Sequence, residues 1–275
     1  MLDLADIARL EERRQADGLA VSAPEHILVA GGTAGRGEPG SWTNQAAGLG
    51  MNGPVTRDNL LQIIDFHASK GAEPRLEICP FADGSLVREA GELGFRVANF
   101  ELVFFRSLDG SRVEPAVPTP PGLVIRPVDV SNAQELREFA ITAVGGFVPP
   151  CQPIPEHELR VCEHVARLDR VVAMAAWVDG SMAGAGGMEI AATPLGGVAA
   201  LFGLSVKPQF RRRGVQQSLI AARLNLASSR GAILSTIGSR PGVATERNVR
   251  RMGYQVAYTR VALVWPAPGL VPLMG

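Results

Sequence analysis

The sequence predicts a mixed α/β protein made of two tandem halves that share one plan. From residue 123 to residue 265 the segments follow the order strand, two helices, three strands, helix, strand, helix, strand. Two glycine-containing segments of the first half recur in the second half, and four prolines lie between Glu114 and Gly122. A chain of 275 residues is long enough for two cores of ordinary size, so we expect one α/β fold in each half.

The second half is predicted to begin with one strand and two helices. The apolar run Leu123 to Val128 predicts the strand. Ser131 suits the N-cap of a helix that ends near Ala143, and Pro155 suits the first turn of a second helix that ends at Arg167.

Three strands are predicted next. Val171–Val178 and Met182–Ala191 are apolar runs joined by Asp179-Gly180, a pair that favours a two-residue hairpin turn. The mostly apolar run Val198–Val206 predicts the third strand.

The chain then alternates between helix and strand. Val215–Ser229 carries apolar residues at helical spacing and predicts a helix, and Ala232–Ile237 predicts a strand. A helix over Ala244–Met252 is expected to end at Gly253, because glycine is the usual residue after a helix C-terminus. The β-branched and aromatic residues of Tyr254–Trp265 predict the last strand.

The segment before the helix that begins at Val215 has the composition of an anion-binding site. We call residues 211–217 the anion loop; it contains three consecutive arginines and then Gly214. The first N–H groups of a helix lack internal partners, and the helix dipole makes them attractive to anions. Guanidinium groups bind phosphate oxygens in pairs, so the loop predicts a pyrophosphate ligand. A solvated basic turn is the alternative on the arginines alone.

The spacing Arg211-x-x-Gly214 resembles the acyl-CoA loop of the GCN5-related N-acetyltransferase (GNAT) family, whose pattern is Arg/Gln-x-x-Gly-x-Gly/Ala. The resemblance extends over residues 123–265 and includes Gly253-Tyr254, where the family typically has Gly-Phe or Gly-Tyr. Gln216 stands where the pattern ends in glycine or alanine. Either its side chain points away from the cofactor, or the pyrophosphate sits slightly differently.

The resemblance implies direct transfer of an acyl group, most simply acetyl, from acetyl-CoA to a small-molecule or peptide amine. No covalent enzyme intermediate and no metal are implied. Strand main chain would bind the pantetheine arm, and the anion loop would bind the pyrophosphate. The implied cofactor-binding residues are Leu204, Ser205, Val206, Arg211, Arg212, Arg213, Gly214, Val215, Gln216, Gln217 and Asn248. Gly214→Asp is accordingly expected to abolish CoA binding and to leave the fold intact.

The general acid and the general base are less well defined. Many relatives place a tyrosine acid four residues before the glycine of the closing pair, and this position holds Val249. Glu189 is the candidate catalytic base, because desolvation in a small, apolar run would raise its pKa toward the useful range. A solvent-facing glutamate at a strand edge is the alternative, and proton removal through water to a distant group is another.

The first half repeats the plan without the anion loop. Gly48–Pro54 aligns with Phe202–Pro208, and Gly94-Phe95 aligns with Gly253-Tyr254. The interval from the aligned proline to the glycine after the next helix is six residues shorter in the first half. The missing residues fall where the anion loop lies in the second half.

These observations predict a degenerate GNAT-like domain over residues 1–114, a proline-rich linker over 115–122 and a GNAT acetyltransferase domain over 123–275. An unrelated α/β domain is the alternative for the first segment. Within it, the glycine-rich stretch Gly32–Gly40 predicts a mobile loop, and Trp42–Met51 predicts a strand.

Charge and apolar runs narrow the partners. The chain has 27 basic and 27 acidic residues, which gives no general attraction to nucleic acid or to an anionic membrane. No apolar run reaches the length of a membrane span, and the acidic first residues do not resemble a secretion signal. We therefore expect a cytoplasmic protein that binds neither nucleic acid nor membrane. The oligomeric state stays open, with a homodimer among the options.

The cysteines predict neither disulfides nor a metal site. Cys79, Cys151 and Cys162 are an odd number without paired spacing, which is typical of free thiols in a reducing compartment. His157 and His164 lie near two of these cysteines, but the spacing is not that of a compact zinc site. A Cys-His acyl relay lacks a third orienting group.

Two functions of different classes are therefore weighed. The first is an acyl-CoA-dependent N-acyltransferase whose acceptor lies under the loop Gly145–Cys151, which is apolar and stiffened by proline. The second is a non-catalytic acyl-CoA binding or sensing protein, suggested by Val249 and Gln216.

Overall fold

The computed structural model describes residues 2–149, 151–193 and 196–273, and the chain folds into two compact units. Unit 1 extends to Val103 and resumes at Ala257, whereas unit 2 spans Phe104–Val256. The units thus differ from the sequence boundaries at 114 and 123, because the chain after residue 256 packs with the N-terminal segment. A pattern of neighbouring residues cannot show that the C-terminal segment joins the N-terminal unit, because this depends on strand pairing between distant residues.

Unit 1 contains three helices and a sheet. Its elements are α1 (Leu4–Ser22), β1 (Glu25–Val29), β2 (Gly32–Arg36), β3 (Gln45–Ala47), α2 (Arg57–Ala68), β4 (Arg75–Ile78), α3 (Ser85–Glu92), the first part of β5 (Arg96–Ser107) and most of β11 (Gln255–Val264). Strands β1, β2 and β3 are antiparallel neighbours, β3 joins β4 in parallel, and β4 pairs with β11 in antiparallel register, Val261 opposite Ile78. Leu60, Ile63 and Leu76 are fully buried in its core.

Two local predictions for unit 1 were wrong. The segment predicted as a mobile loop, Gly32–Gly40, begins with strand β2, and all five residues of that strand are buried. Its glycines are required by close packing, since a Cβ on Gly32 would lie 2.2 Å from the carbonyl oxygen of Ala47. The strand predicted over Trp42–Met51 is only Gln45–Ala47, because Gly48 and the residues after it form a turn.

Unit 2 contains the second set of elements. They are β6 (Leu123–Pro127), α4 (Ala133–Val144), α5 (Glu156–Ala166), β7 (Val171–Val178), β8 (Ser181–Thr193), β9 (Gly196–Val206), α6 (Val215–Ser229), β10 (Ala232–Ser239) and α7 (Ala244–Arg251). The strand order is β10-β9-β8-β7-β6, and only the β10–β9 pair is parallel. The predicted order of elements is confirmed for this unit.

Local signals account for most element ends in unit 2. The hairpin between β7 and β8 turns at Asp179 and Gly180, whose φ angles of 49° and 77° are those of a type I′ turn. The N-cap of α4 is Asn132 rather than Ser131: its side chain accepts hydrogen bonds from the N–H groups of Gln134 and Glu135. Asn132 is the residue next to the first helical position, so it reaches both donors.

Helices α4 and α6 cover opposite faces of β8. A Cβ on Gly184 would lie 3.2 Å from Leu219 of α6, whereas the adjacent Ala185 packs in a cluster with Leu136 and Phe139 of α4. Successive residues of a strand point to opposite faces, so the two helices lie on different sides. No helix in the described part of the chain is both long and apolar enough to cross a membrane.

Candidate functional site

The anion loop lies between β9 and α6 in unit 2. After Val206 the chain makes a short 3-10 turn, Pro208–Phe210, and then bends through Arg212 and Gly214, whose φ angles are +62° and +83°. Helix α6 begins at Val215, as the sequence predicts. The left-handed conformation at two residues compresses the bend into a short segment.

The N-terminus of α6 is left without a side-chain cap. Gly214 is the N-cap and offers no side chain, and the first main-chain bond into the turn is from the N–H of Ser218 to the carbonyl of Gly214, at 3.0 Å. Within residues 2–149, 151–193 and 196–273, nothing accepts a hydrogen bond from the N–H groups of the three helix residues before Ser218. Such donors at a helix start are the groups that bind anions.

The corresponding helix of unit 1 carries a side-chain cap at its N-terminus. Thr56 caps α2 with a reciprocal pair of bonds: its side chain accepts from the N–H of Asn59 at 3.3 Å, and its N–H donates to the side chain of Asn59 at 3.0 Å. Only two residues separate Pro54 from α2. A capping box therefore occupies the place that the anion loop has in unit 2.

The three arginines of the loop have different surroundings. Arg211 donates through Nε to the carbonyl oxygen of Val206 at 3.0 Å, so its side chain fastens the loop to the end of β9. Arg212 and Arg213 are exposed and have no hydrogen bond or ion pair with another described residue. These two guanidinium groups are therefore the ones available to an anion.

The long side chain of Gln216 is held on α7. Its Oε1 accepts from Nδ2 of Asn248 at 2.6 Å, and its Nε2 donates to Oγ1 of Thr245 at 3.4 Å. Gln217 donates to the remaining polar atom of Asn248 at 3.2 Å. Of the two arrangements left open by the sequence, the geometry favours the one in which Gln216 extends toward a neighbouring helix. Asn248 joins the two glutamines.

The linker packs against the anion loop, which the sequence did not reveal. The main chain of Val113 forms two bonds with the Asn225 side chain, at 2.8 and 2.9 Å, and a Cβ on Gly214 would lie 2.5 Å from the carbonyl oxygen of Pro118. Five residue steps of extended chain span about 17 Å, and the eleven residue steps of helix from Gly214 to Asn225 span about 16 Å. Residues 113 and 118 thus both lie against α6, and the carbonyl of Pro118 explains why position 214 is glycine.

Strand β9 leaves its neighbour β10 close to the anion loop. The parallel pairing of these strands ends at Leu201 opposite Ile237, although β9 continues to Val206. Beyond that point Ser205 and Val206 pair with β8 alone. The edge of β9 that faces away from β8 thus has no described strand partner at Ser205 and Val206, and the resemblance implies that Leu204, Ser205 and Val206 bind the co-substrate through this main chain.

A bulge marks the departure of β9. On one side of it Ala185 is opposite Ser205, and on the other Gly187 is opposite Phe202, so Gly186 alone faces both Gly203 and Leu204. Gly203 has φ +60°, the conformation of the first residue in a glycine-type bulge.

The loop between α4 and α5 reaches the same strand. A Cβ on Gly146 would lie 2.3 Å from Oγ of Ser205, so the loop main chain packs directly on β9. Phe147 is 59% exposed, and Pro150 lies outside the described residues. The Ser205 hydroxyl makes no hydrogen bond with a described residue, which leaves it available at this position.

The two positions considered for the general base and the general acid, Glu189 and Val249, are both buried. Glu189 is only 5% exposed and forms an ion pair with Arg170 at 2.5 Å, so it is not a solvent-facing glutamate. The ladder places it opposite Ala200, before the bulge. Val249 is fully buried in α7. The nearby Tyr254 shares a 2.7 Å hydrogen bond with Ser235, and burial raises the pKa of its phenol to about 12.

The cysteines do not form a reactive centre. Burial raises the pKa of the Cys79 and Cys162 thiols to about 12, which disfavours the thiolate that a nucleophile requires. Cys151 is exposed, and all three thiols are free. Among the described residues, no three His, Cys, Asp or Glu side chains are placed to hold a metal ion.

No protein-family profile matches the chain, and no curated protein matches it. Solved structures do share its fold. A GCN5-related N-acetyltransferase from Kribbella flavida aligns with a TM-score of 0.71 and 19% identity over 96% of this chain and 97% of its own. A GCN5-related N-acetyltransferase from Sphaerobacter thermophilus aligns with a TM-score of 0.52 and 18% identity over 71% of this chain and 60% of its own.

A full-length match supports the tandem arrangement. A tandem GNAT protein from the clavulanic acid biosynthesis pathway aligns with a TM-score of 0.59 and 13% identity over 97% of this chain and 98% of its own. The element order of unit 2, the open N-terminus of α6 and the departing end of β9 agree with this similarity. The chain therefore has the tandem GCN5-related N-acetyltransferase fold.

Proposed function

We propose that the protein is an acyl-CoA-dependent N-acyltransferase that transfers acetyl from acetyl-CoA to an amine, with unit 2 binding the co-substrate. A fold by itself does not establish an activity, so the proposal depends on the site. The observation that carries it is the set of unpaired N–H groups at the start of α6, placed between two free arginines and the end of β9 that has left β10.

Each part of the site has a role in binding. The N–H groups of Val215, Gln216 and Gln217 donate to the diphosphate, and Arg212 and Arg213 supply charge-assisted bonds to its oxygens. The free main-chain edge of β9 from residue 204 to residue 206 pairs with the amide groups of the pantetheine arm. In this proposal the thioester lies beside the bulge and under the α4–α5 loop.

The transfer needs little covalent chemistry from the protein. A neutral amine attacks the thioester carbon, a C–N bond forms, and the C–S bond breaks as the sulfur leaves with the electron pair. Main-chain N–H groups of β9 stabilise the negative charge that develops on the carbonyl oxygen. The amine loses one proton to solvent or to a base, and the thiolate takes up one proton. Glu189 stays the predicted base, with Arg170 as its partner.

A second function is favoured by one specific observation. The position at which many relatives carry a tyrosine acid is Val249, which is fully buried and cannot transfer a proton. This supports a protein that binds acyl-CoA and does not turn it over.

Turnover separates the two functions. We expect acetyl-CoA to release free CoA thiol in the presence of a panel of primary amines, and we expect CoA to bind by titration calorimetry. Saturable CoA binding without thiol release for any amine would favour the binding protein. Absence of CoA binding would refute both.

A variant pair tests the anion loop itself. Arg212→Ala combined with Arg213→Ala should weaken CoA binding and reduce its dependence on salt, because two phosphate contacts are lost. Arg230→Ala is the control, since Arg230 is an exposed arginine at the opposite end of the same helix. Equal effects of the two changes on CoA affinity would contradict the assignment of the loop.

A further inference from the structure

Helix α6 carries a buried cation that the binding site described above does not use. Arg223 has no exposed surface and is among the largest fully buried side chains in the described part of the chain. No described carboxylate lies within ion-pair distance of it. Burial lowers the pKa of its guanidinium to about 10. An arginine without a counter-ion is rare in a protein interior, because burial of a charge is costly.

The partners of Arg223 are main-chain carbonyl groups at the β9 bulge. Its Nη1 donates to the carbonyl oxygen of Gly187 at 2.8 Å and to that of Phe202 at 3.4 Å, and its Nε donates to the carbonyl of Leu219 within the helix. Gly187 and Phe202 are the last residues that face each other before the bulge. A bulge interrupts the regular ladder, and the guanidinium donates to carbonyl groups directly beside the interruption.

The sequence of β8 leaves room for this side chain. A Cβ on Gly186 would lie 3.0 Å from Nη1 of Arg223, and a Cβ on Gly187 would lie 2.3 Å from the ring of Phe202. Side chains at these two positions would displace the guanidinium or the ring. The glycine pair, the bulge and Arg223 therefore form one arrangement.

We propose that Arg223 is a positioning residue that fixes the bulge at Gly203 and Leu204, so that the following main chain of β9 leaves β10 and faces the thioester of the bound acyl-CoA. This inference rests on the proposed function for its ligand. Arg223 acts through the strand and does not touch the co-substrate. Nη1 of Arg223 contacts both carbonyl oxygens, and an apolar side chain of similar size offers no donor to either of them.

Binding of two ligands tests the role of Arg223. The probes are acetyl-CoA and its nucleotide fragment, 3′-phospho-ADP, which reaches the anion loop and lacks the pantetheine arm. In Arg223→Met we expect acetyl-CoA affinity to fall about tenfold or more, which is close to the lower value for one hydrogen bond to a charged group, while fragment affinity changes by less than about twofold. In Arg223→Lys we expect an intermediate loss. Equal losses for both ligands, or no loss for either, would overturn the proposal.

Two further measurements distinguish a local effect of Arg223 on the bulge from a general loss of stability. Leu224→Ala removes a fully buried neighbour on α6 and should lower stability without changing the ratio of the two affinities. Hydrogen exchange of the free protein should become faster at residues 202–206 in Arg223→Met and stay unchanged at residues 232–237. If the wild-type protein binds neither ligand, the proposed function fails. Hydrogen exchange still decides whether Arg223 fixes the bulge, because unchanged exchange at residues 202–206 in Arg223→Met would refute that role.

Discussion

Replacement of Gly214 by alanine tests the packing of the linker against the anion loop. Gly214 has φ +83°, and a Cβ there would lie 2.5 Å from the carbonyl oxygen of Pro118. A left-handed conformation costs an alanine about 1 kcal/mol relative to glycine, and the contact with a carbonyl oxygen adds a further cost that the linker must relieve by moving. Gly231 is a matched control at the other end of α6: its φ is +82°, and a Cβ there would meet nothing within 4 Å.

Urea unfolding should therefore separate the two variants. We expect Gly231→Ala to lower the free energy of unfolding by about 1 kcal/mol and Gly214→Ala to lower it by about 2 kcal/mol or more. The difference should shrink in an Asn225→Ala background, because Asn225 holds the linker on α6 through Val113. CoA affinity should fall only in Gly214→Ala. Equal destabilisation of the two variants, or a difference that persists without Asn225, would refute the linker contact. The same contact applies to Gly214→Asp, so this variant should destabilise the fold as well as abolish CoA binding, contrary to the expectation from the sequence.

Three other perturbations follow from buried polar groups. His67 is buried and donates to the carbonyl of Gly35 at 2.8 Å, and burial lowers its pKa to about 4. As pH falls, the unfolded chain therefore takes up a proton at His67 before the folded chain does, and the free energy of unfolding in urea should fall by a value on the order of 3 kcal/mol between pH 6.5 and pH 4. His67→Gln should remove most of this pH dependence. Glu12→Gln should destabilise the protein by about 3 kcal/mol in the same assay, because it removes the buried carboxylate that pairs with Arg260 at 2.8 Å; a loss below about 1 kcal/mol would contradict this. Glu189→Gln should lower kcat with little change in the CoA dissociation constant if Glu189 is the base, whereas an unchanged kcat over a pH series would exclude that role.

Local sequence signals predicted most of unit 2. The start of α6 at Val215, the hairpin at Asp179-Gly180 and the strand that ends at Val206 follow from composition and spacing within a few residues of each feature. The absence of an anion loop in the first half followed from a difference in interval, and the capping box on α2 gives it a structural reason.

Features that depend on distant residues could not be predicted in this way. Strand β11 pairs with β4 of unit 1, although about 180 residues separate them in the sequence, and periodicity carries no information about such pairing. The contact of Pro118 with Gly214 and the bonds from Arg223 to the β9 bulge also join residues far apart in the chain. Arg223 did carry one signal: a charged residue in the middle of an otherwise small and apolar helix face, opposite a glycine-rich strand.

The comparison of α2 with α6 leads to a prediction about stoichiometry. Helix α6 combines an uncapped N-terminus with a buried guanidinium eight residues beyond Val215, about 12 Å along the helix, so one rigid element positions both the anion loop and the strand bulge. Helix α2 has neither feature: Thr56 caps its N-terminus through the N–H of Asn59, and the polar group on its buried face is His67. We therefore expect titration calorimetry to give one CoA per chain. Arg212→Ala with Arg213→Ala should weaken that single event and reveal no second one. A stoichiometry of two would show that unit 1 binds CoA without an anion loop, and the role assigned to the open helix N-terminus would then be wrong.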